Sequence, residues 1–359
     1  MHLCYPFESP DVLGPTTGHN RRAIFSRSQM PQSSERAIPV QGTPRARSSV
    51  QYFFVLVLVN LMWAFQFSGA KVATERLGPI AVALIPLAIS TILFLPFLRM
   101  GTAQTARPRF TAAIIRDLVL VGTLGVVAAQ LGLTWGVERS LASNASVITL
   151  SIPVLTAFMA AALLGERMTA VRWLSFVLAI SGVLLVSDID WKSVQIFRGT
   201  YLLGNGLIFI SCLGSAYYNT YSKKLLEIFT PVELLVYSFL VSDVALLILM
   251  MIVEPSSLSK LTSLGSGVWG SLAIIAIFSL SLSMVLFFWV IKRIDVTQAS
   301  LSIYLLPVFG VLLSSMVVKE KIRWQLIAGG LLVFAGTLLI TVYEELRQNR
   351  AMTQPGETA

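Results

Sequence analysis

Asp243 stands in the run VYSFLVSDVALLILMM, and no Lys, Arg or His lies at matching depth in another apolar run. A carboxylate inside hydrocarbon costs at least roughly a few kcal/mol, so such residues mark proton or ion pathways. The bland alternative is a protonated acid bonded to a serine or backbone carbonyl of a neighbouring helix. Asp243 is therefore the proton-coupling candidate. A second feature is written twice: SIPVLTAFMAAALLGE at 151–166 and LLPVFGVLLSSMVVKE at 305–320, each with a glutamate thirteen residues after its proline. Pro153 and Pro307 lack a backbone N–H and clash with the carbonyls four residues back, at Thr149 and Ile303, which makes both helix-kink candidates. The freed carbonyls need partners or water.

Polar residues gather before each kink: Ser143, Asn144, Ser146 and Thr149 in one copy, Thr297, Gln298, Ser300 and Tyr304 in the other. Their amides and hydroxyls can hydrogen-bond a polar solute. Asn144, Ser146, Thr149, Gln298, Ser300 and Tyr304 are thus candidates for lining a cavity. Trp63 in NLMWAFQF, Gln130 in VVAAQLGLTWG, Asn205 in LLGNGLIF, and Tyr217 and Asn219 in SAYYNTYS join them. Each has a structural alternative, as an interhelical hydrogen bond or an interfacial anchor. Glu166 and Glu320 end their segments beside Arg167 and Lys321, and read as helix-end anchors for nearby helix starts or basic residues. Gly132 and Gly136 form a GxxxG that suits close helix contact.

Covalent chemistry finds little support. Both histidines, His2 and His19, lie in the polar N-terminal stretch, and the two cysteines, Cys4 and Cys212, cannot make a metal cluster. An intramembrane enzyme needs paired carboxylates, a His-metal cluster or an activated nucleophile. Neither H-E-x-x-H nor G-x-S-x-G occurs, and G-x-x-x-x-G-K-[ST] is absent too. No catalytic residue, metal or cofactor is expected.

The elements that must hold these residues follow from composition. Of 359 residues, 55% are hydrophobic and 13% charged, about half the charged share of a soluble domain. The apolar residues come in runs near the length that crosses about 30 Å of hydrocarbon as a helix. Ten helices are expected, at 51–70, 77–98, 117–137, 141–164, 171–187, 200–222, 232–253, 268–291, 296–318 and 324–343. The fold class is all-α membrane protein. Residues 1–50 are polar and read as a disordered tail, and 344–359 as a polar C-terminal tail. With the N-terminus cytoplasmic, 18 of the 27 Lys and Arg fall inside and 9 outside, which places both termini in the cytoplasm. The formal charge of +9 is explained by this bias, so no nucleic-acid partner is implied.

Shifting the first half by 154 residues lays Trp135 on Trp289, Ala145 on Ala299, Pro153 on Pro307, Glu166 on Glu320 and Gly182 on Gly336. Earlier in each half the offset is 152, where Lys71 meets Lys223 and Pro79 meets Pro231. Two five-helix copies, 51–188 and 198–343, must cross the membrane in opposite senses, because five is odd. Inverted-topology repeats of this kind are common in secondary transporters.

The quoted segments also resemble a known family. WAFQFSGAKVATERLGP and SLASNASVITLSIPVLTAFMAAALLGERMTAVRWLSFVLAISGVLL in the first copy, and KRIDVTQASLSIYLLPVFGVLLSSMVVKEKIRWQLIAGGLLVFAGTLL in the second, are similar to the two EamA domains of the drug/metabolite transporter superfamily. The resemblance covers about 51–343. It departs in the second helix, where VALIPLAIS lacks the frequent Arg, and at Lys319, where a Gly is usual. It implies a cavity lined partly by the fourth and ninth helices, and an exporter of small organic metabolites such as amino acids, nucleobases or drug-like compounds. Proton coupling through Asp243 is the expected drive, and the plasma membrane (the inner membrane of a bacterium) the expected location. A flippase for a lipid-linked substrate on the same scaffold is the alternative, and a homodimer is left open.

Overall fold

The computed structural model describes residues 49–74, 76–100, 110–140, 142–186, 192, 194–318 and 324–353, all within the compact unit Arg47–Ala359. Of the tail expected at 1–50, residues 1–48 lie outside the described residues, and Ser49 and Val50 begin the first helix. Among those described there is no strand.

The long helices, in chain order, are α1 (Ser49–Thr74), α2 (Pro79–Phe94) and α3, which runs Ala112–Leu120, then as a π-helix over Val121–Val127, then Ala128–Glu138. Next come α4, in two pieces (Ala142–Thr149 and Ser151–Leu164), α5 (Ala170–Val186), α6 (Gly199–Leu225) and α7 (Pro231–Val253). α8 has three consecutive parts: Ser266–Ile274, a π-helix over Ile275–Leu282, and Ser283–Ile291. α9 runs Val296–Leu301, tightens to a 3₁₀ turn at Ser302–Tyr304, and resumes as Leu305–Val318; α10 is Trp324–Thr353.

Six stretches are long and apolar enough to cross a membrane: Ala112–Gly136, Val147–Leu164, Gly199–Leu225, Pro231–Val253, Ser266–Ile291 and Ile327–Glu344. The other four expected crossings correspond to shorter apolar stretches, at Val50–Gln66, Pro79–Phe94, Ala170–Val186 and Val296–Gly310. α10 continues past the expected end at 343, because YEELRQNRAMT is made largely of strong helix formers. Part of the expected C-terminal tail is thus helix. Large apolar side chains such as Phe54, Ile92, Leu124, Ile252 and Leu331 face outward. On a protein in water these would be adhesive; against lipid tails they are solvated.

Local chemistry sets the helix ends. Thr230 and Glu233 form a reciprocal capping box at the start of α7, with Glu233 N donating to Thr230 Oγ1 at 3.3 Å and Thr230 N to Glu233 Oε2 at 2.8 Å. Glu254, at the end of α7, takes the backbone N–H groups of Ile80 and Ala81 at 3.1 and 3.3 Å, satisfying the first turn of α2. Helices meet through small residues, since lipid offers no hydrophobic drive for association. A Cβ on Gly182 of α5 would lie 2.5 Å from the Gly329 carbonyl of α10. One on Gly132 or Gly136 of α3 would strike the backbone or side chains of α6. Tyr52, near the start of α1, packs in a tilted ring contact at 5.5 Å against Trp289, near the end of α8. Gly69, near the end of α1, meets Ile275 and Ser271 early in α8. The two helices are therefore antiparallel.

Candidate functional site

The interruptions in α4 and α9 meet. α4 breaks at Leu150 and α9 at Ser302–Tyr304, each within a turn upstream of Pro153 or Pro307. The missing proline N–H and the ring's clash with the preceding turn account for both breaks. From α9, the Tyr304 hydroxyl donates to the Leu150 carbonyl of α4 at 2.9 Å. Phe176 of α5 meets the Tyr304 ring edge-on, with centroids 6.3 Å apart. α1 reaches the same place through Asn60, whose Nδ2 donates to Ser302 Oγ at 3.0 Å and to the Leu56 carbonyl at 2.7 Å. Asn60 Oδ1 is buried without a hydrogen-bond partner among the described residues. α6 contributes Cys212, whose thiol donates to the Ile148 carbonyl at 3.6 Å. Three helices, α1, α5 and α6, thus converge on two broken ones.

Other expected cavity residues are spread more widely. Thr149 donates within its helix to Ala145 O at 2.9 Å, and Ser300 to Thr297 O at 3.0 Å. Gln298 and Ser300 are buried near the start of α9. Asn144 and Asn205 form a separate polar knot. Asn144 Nδ2 donates to Asn205 Oδ1 at 3.3 Å, Asn144 Oδ1 receives Gln195 N at 2.8 Å, and Asn205 Nδ2 donates to Ile196 O at 2.8 Å. Ser140 also donates to Asn205 Oδ1. This knot ties the segment before α6 to α4. Trp63 packs on Phe287 at 5.2 Å, Tyr217 stacks on Tyr221 at 5.3 Å, Asn219 is buried, and Gln130 is half-buried. The side chain of Ser146 and all of Glu320 lie outside the described residues.

Asp243 belongs to another seam, between α7 and α2. Its Oδ2 accepts from Thr91 Oγ1 at 2.6 Å, and that hydroxyl also lies 3.0 Å from the Leu87 carbonyl. Asp243 Oδ1 is buried without a partner among the described residues. Next to it, Ser242 donates to the Gly122 carbonyl of α3 at 2.9 Å, at the π-helical segment.

Glu166 anchors a helix start, and a set of charges surrounds it. Gly165 ends α4 in the left-handed region at φ +71°, a conformation that favours glycine. The turn lets Glu166 N donate back to Ala160 O at 3.2 Å and aims the carboxylate at α9. There it accepts Val296 N at 2.7 Å, Thr297 N at 3.0 Å and Thr297 Oγ1 at 2.6 Å. Lys223, at the end of α6, lies 3.3 Å from Glu166 and 3.7 Å from Asp295, and donates to Ile294 O at 2.8 Å. Arg172 of α5 is only 1% exposed. It donates from Nε to Glu344 Oε1 at 2.9 Å, from Nη1 to Arg167 O at 2.9 Å, and from Nη2 to Asp295. Arg172, Asp295 and Glu344 were not singled out from sequence. Each sits beside a helix end expected from sequence, where a charged residue reads as an ordinary interfacial one.

Known proteins place this architecture. A solved crystal structure superposes with a TM-score of 0.68 at 17% identity, covering 82% of this chain and 97% of its own, so the two share a fold. An "Uncharacterized transporter" of Archaeoglobus fulgidus is 23% identical over 80% of this chain and 98% of its own length. The "Probable terminal-alkyne amino-acid exporter" of Streptantibioticus cattleyicolor is 24% identical over 84% of this chain and 97% of its own. The "Uncharacterized inner membrane transporter YedA" of Escherichia coli K12 is 25% identical over 87% and 97% respectively. The EamA-like transporter family matches at 51–188 and again at 202–342. With both segments matched, this multi-pass membrane chain belongs to the EamA-like transporter family.

Proposed function

We propose that the chain is a secondary transporter that exports small polar organic metabolites by alternating access between two inverted five-helix repeats. One observation carries the reading: the irregular geometry recurs at the repeat offset. The π-helical segments begin at Val121 and Ile275, and the breaks fall at Leu150 and Ser302–Tyr304, 154 residues apart in the first case and within a turn of that in the second. The contacts repeat as well. Asn60 of α1 touches Ser302 in the α9 break, while its counterpart at offset 152, Cys212 of α6, touches Ile148 beside the α4 break. Swapping the halves leaves this pattern unchanged, which favours two related packings of similar energy, one open to each side. Non-α backbone at membrane depth needs a cavity or protein partners, and the five-helix junction supplies them.

The path runs along this junction, past Tyr304, Thr149, Ser300 and Gln298, with Trp63, Gln130, Tyr217 and Asn219 in neighbouring walls. Both termini face the cytoplasm, as the Lys and Arg distribution favours. Asp243 carries the coupling proton, using its unpartnered oxygen. Amino acids lead the candidate solutes: amide and hydroxyl groups suit them, and one relative is named as an amino-acid exporter. The test is flux in proteoliposomes under an imposed pH gradient, with labelled amino acids, nucleosides and organic cations. Movement of one solute, lost when the gradient is collapsed, supports the reading. No movement of any soluble solute by folded protein refutes it and points to lipid-linked cargo.

A further inference from the structure

We propose that the charged cluster around Glu166 is a latch that shuts the cytoplasmic mouth of the path and must separate each time that mouth opens. This rests on the alternating-access reading above.

The latch joins one repeat to the other. Glu166 and Arg172 belong to the first; Lys223, Asp295, Val296, Thr297 and Glu344 belong to the second. The Glu166 bonds to Val296, Thr297 and Lys223, and the Arg172 bonds to Asp295 and Glu344, all cross that division. A movement of one repeat against the other would break them together. They also hold the two broken helices at one end, since Glu166 follows α4 and its oxygens grip the first turn of α9.

Stability alone is a poor reason for such a cluster. A buried ion pair is often no more stabilising than apolar side chains of similar volume, and switching is among its better-attested uses. The exposures suit a switch. Arg172, Glu344 and Glu166 are 1%, 5% and 6% exposed, whereas Lys223 and Asp295 are 24% and 40% exposed. Water at this rim can hydrate the separated charges.

The opposite end of the bundle looks different. The antiparallel α1 and α8 place the end of α1 and the start of α8 away from the latch. There a cleft of about 700 Å³ is lined by Val72, Arg76, Lys260, Ser263, Leu264 and Val268, among others. The latch lies at the end of the bundle opposite this cleft.

The test reads the mouth directly. The full chain, with Cys4→Ser, Cys212→Ser and the reporter Ala299→Cys, is placed in inside-out and right-side-out vesicles. Ala299 is fully buried, one turn inside the latch on α9. A membrane-impermeant maleimide is added to each. Lys223→Met and Asp295→Asn are expected to raise labelling from the latch side about fivefold, the low end of a coupling between two global states. Lys223→Arg should stay at the parent level. Two mild variants guard against loss of folding in either one, and an unchanged elution profile confirms it. Labelling of both variants within about twofold of the parent overturns the latch, since that falls below the coupling range. Vesicles that label as expected but carry no solute support the latch and refute the transport reading. Vesicles that carry solute without the labelling change do the opposite.

Discussion

The Tyr304 hydroxyl donates to the Leu150 carbonyl at 2.9 Å, across a sequence separation of 154 residues. That separation is the repeat offset, so each residue is the other's counterpart. This bond pins the two helix breaks together. Tyr304→Phe keeps the ring against Phe176 and removes the donor. The expected cost is about 1 kcal/mol, the usual net worth of one hydrogen bond, read as a lower Tm in detergent with slower solute flux. Tyr304→Ala also empties the ring's volume and should cost about 3–5 kcal/mol. A Phe variant with parental Tm and flux would show that the bond holds nothing.

Pro153→Ala and Pro307→Ala restore a backbone N–H and relieve the clash in the preceding turn. Both prolines sit in the first turn of their second helical piece, where proline is tolerated, so each variant should keep or modestly raise its Tm. If the breaks are the hinges of transport, turnover falls by about tenfold, or roughly 1.4 kcal/mol on the barrier. Stability and flux would then move in opposite directions. Parental flux from a more stable variant would leave the breaks as packing features only.

The proline breaks were legible because proline acts within four residues of itself. The π-helical segments were not. VGTLGVV and IAIFSLSL are largely apolar, so a change in residues per turn moves no polar side chain and leaves no pattern. Asn60 left a signal that was not read: a lone amide in VLVLVNLMW, at a depth where amides need partners. Asn144 and Asn205 were read as cavity residues from type and position. Their hydrogen bonds to Gln195 and Ile196 were not legible, because that pairing depends on how the chain returns over the bundle. Arg172 was passed over because its partners lie 123 and 172 residues away in sequence. Local spacing cannot report such a cluster.

Asp243→Asn keeps the side chain's size and removes its ionisable proton site. The Thr91 hydroxyl 2.6 Å away can still donate to the remaining oxygen, so the α2–α7 seam should survive. The expected result is loss of pH-gradient-driven accumulation, with solute exchange at equal pH retained. Thr91→Val removes the one hydrogen-bond partner that the carboxylate has among the described residues and should weaken coupling without abolishing it. Intact pH-driven flux in Asp243→Asn would assign the residue a packing role and move the coupling elsewhere.

Backbone approach between α5 and α10 makes a paired prediction about glycine. The Gly182 position has no room: an added Cβ would lie 2.5 Å from the Gly329 carbonyl and 2.8 Å from Val333. A backbone carbonyl cannot rotate away as a side chain can, so Gly182→Ala must push the helices apart. Overpacking of this kind costs about 1–3 kcal/mol. At Gly206, on the outer face of α6, nothing lies within 4 Å of the same Cβ. There Gly206→Ala should gain up to about 1 kcal/mol from helix propensity alone. Thermal unfolding in one detergent therefore separates the two by sign, with Tm falling for the first and holding or rising for the second. Should both move the same way, contact between the α5 and α10 backbones is not what holds that seam.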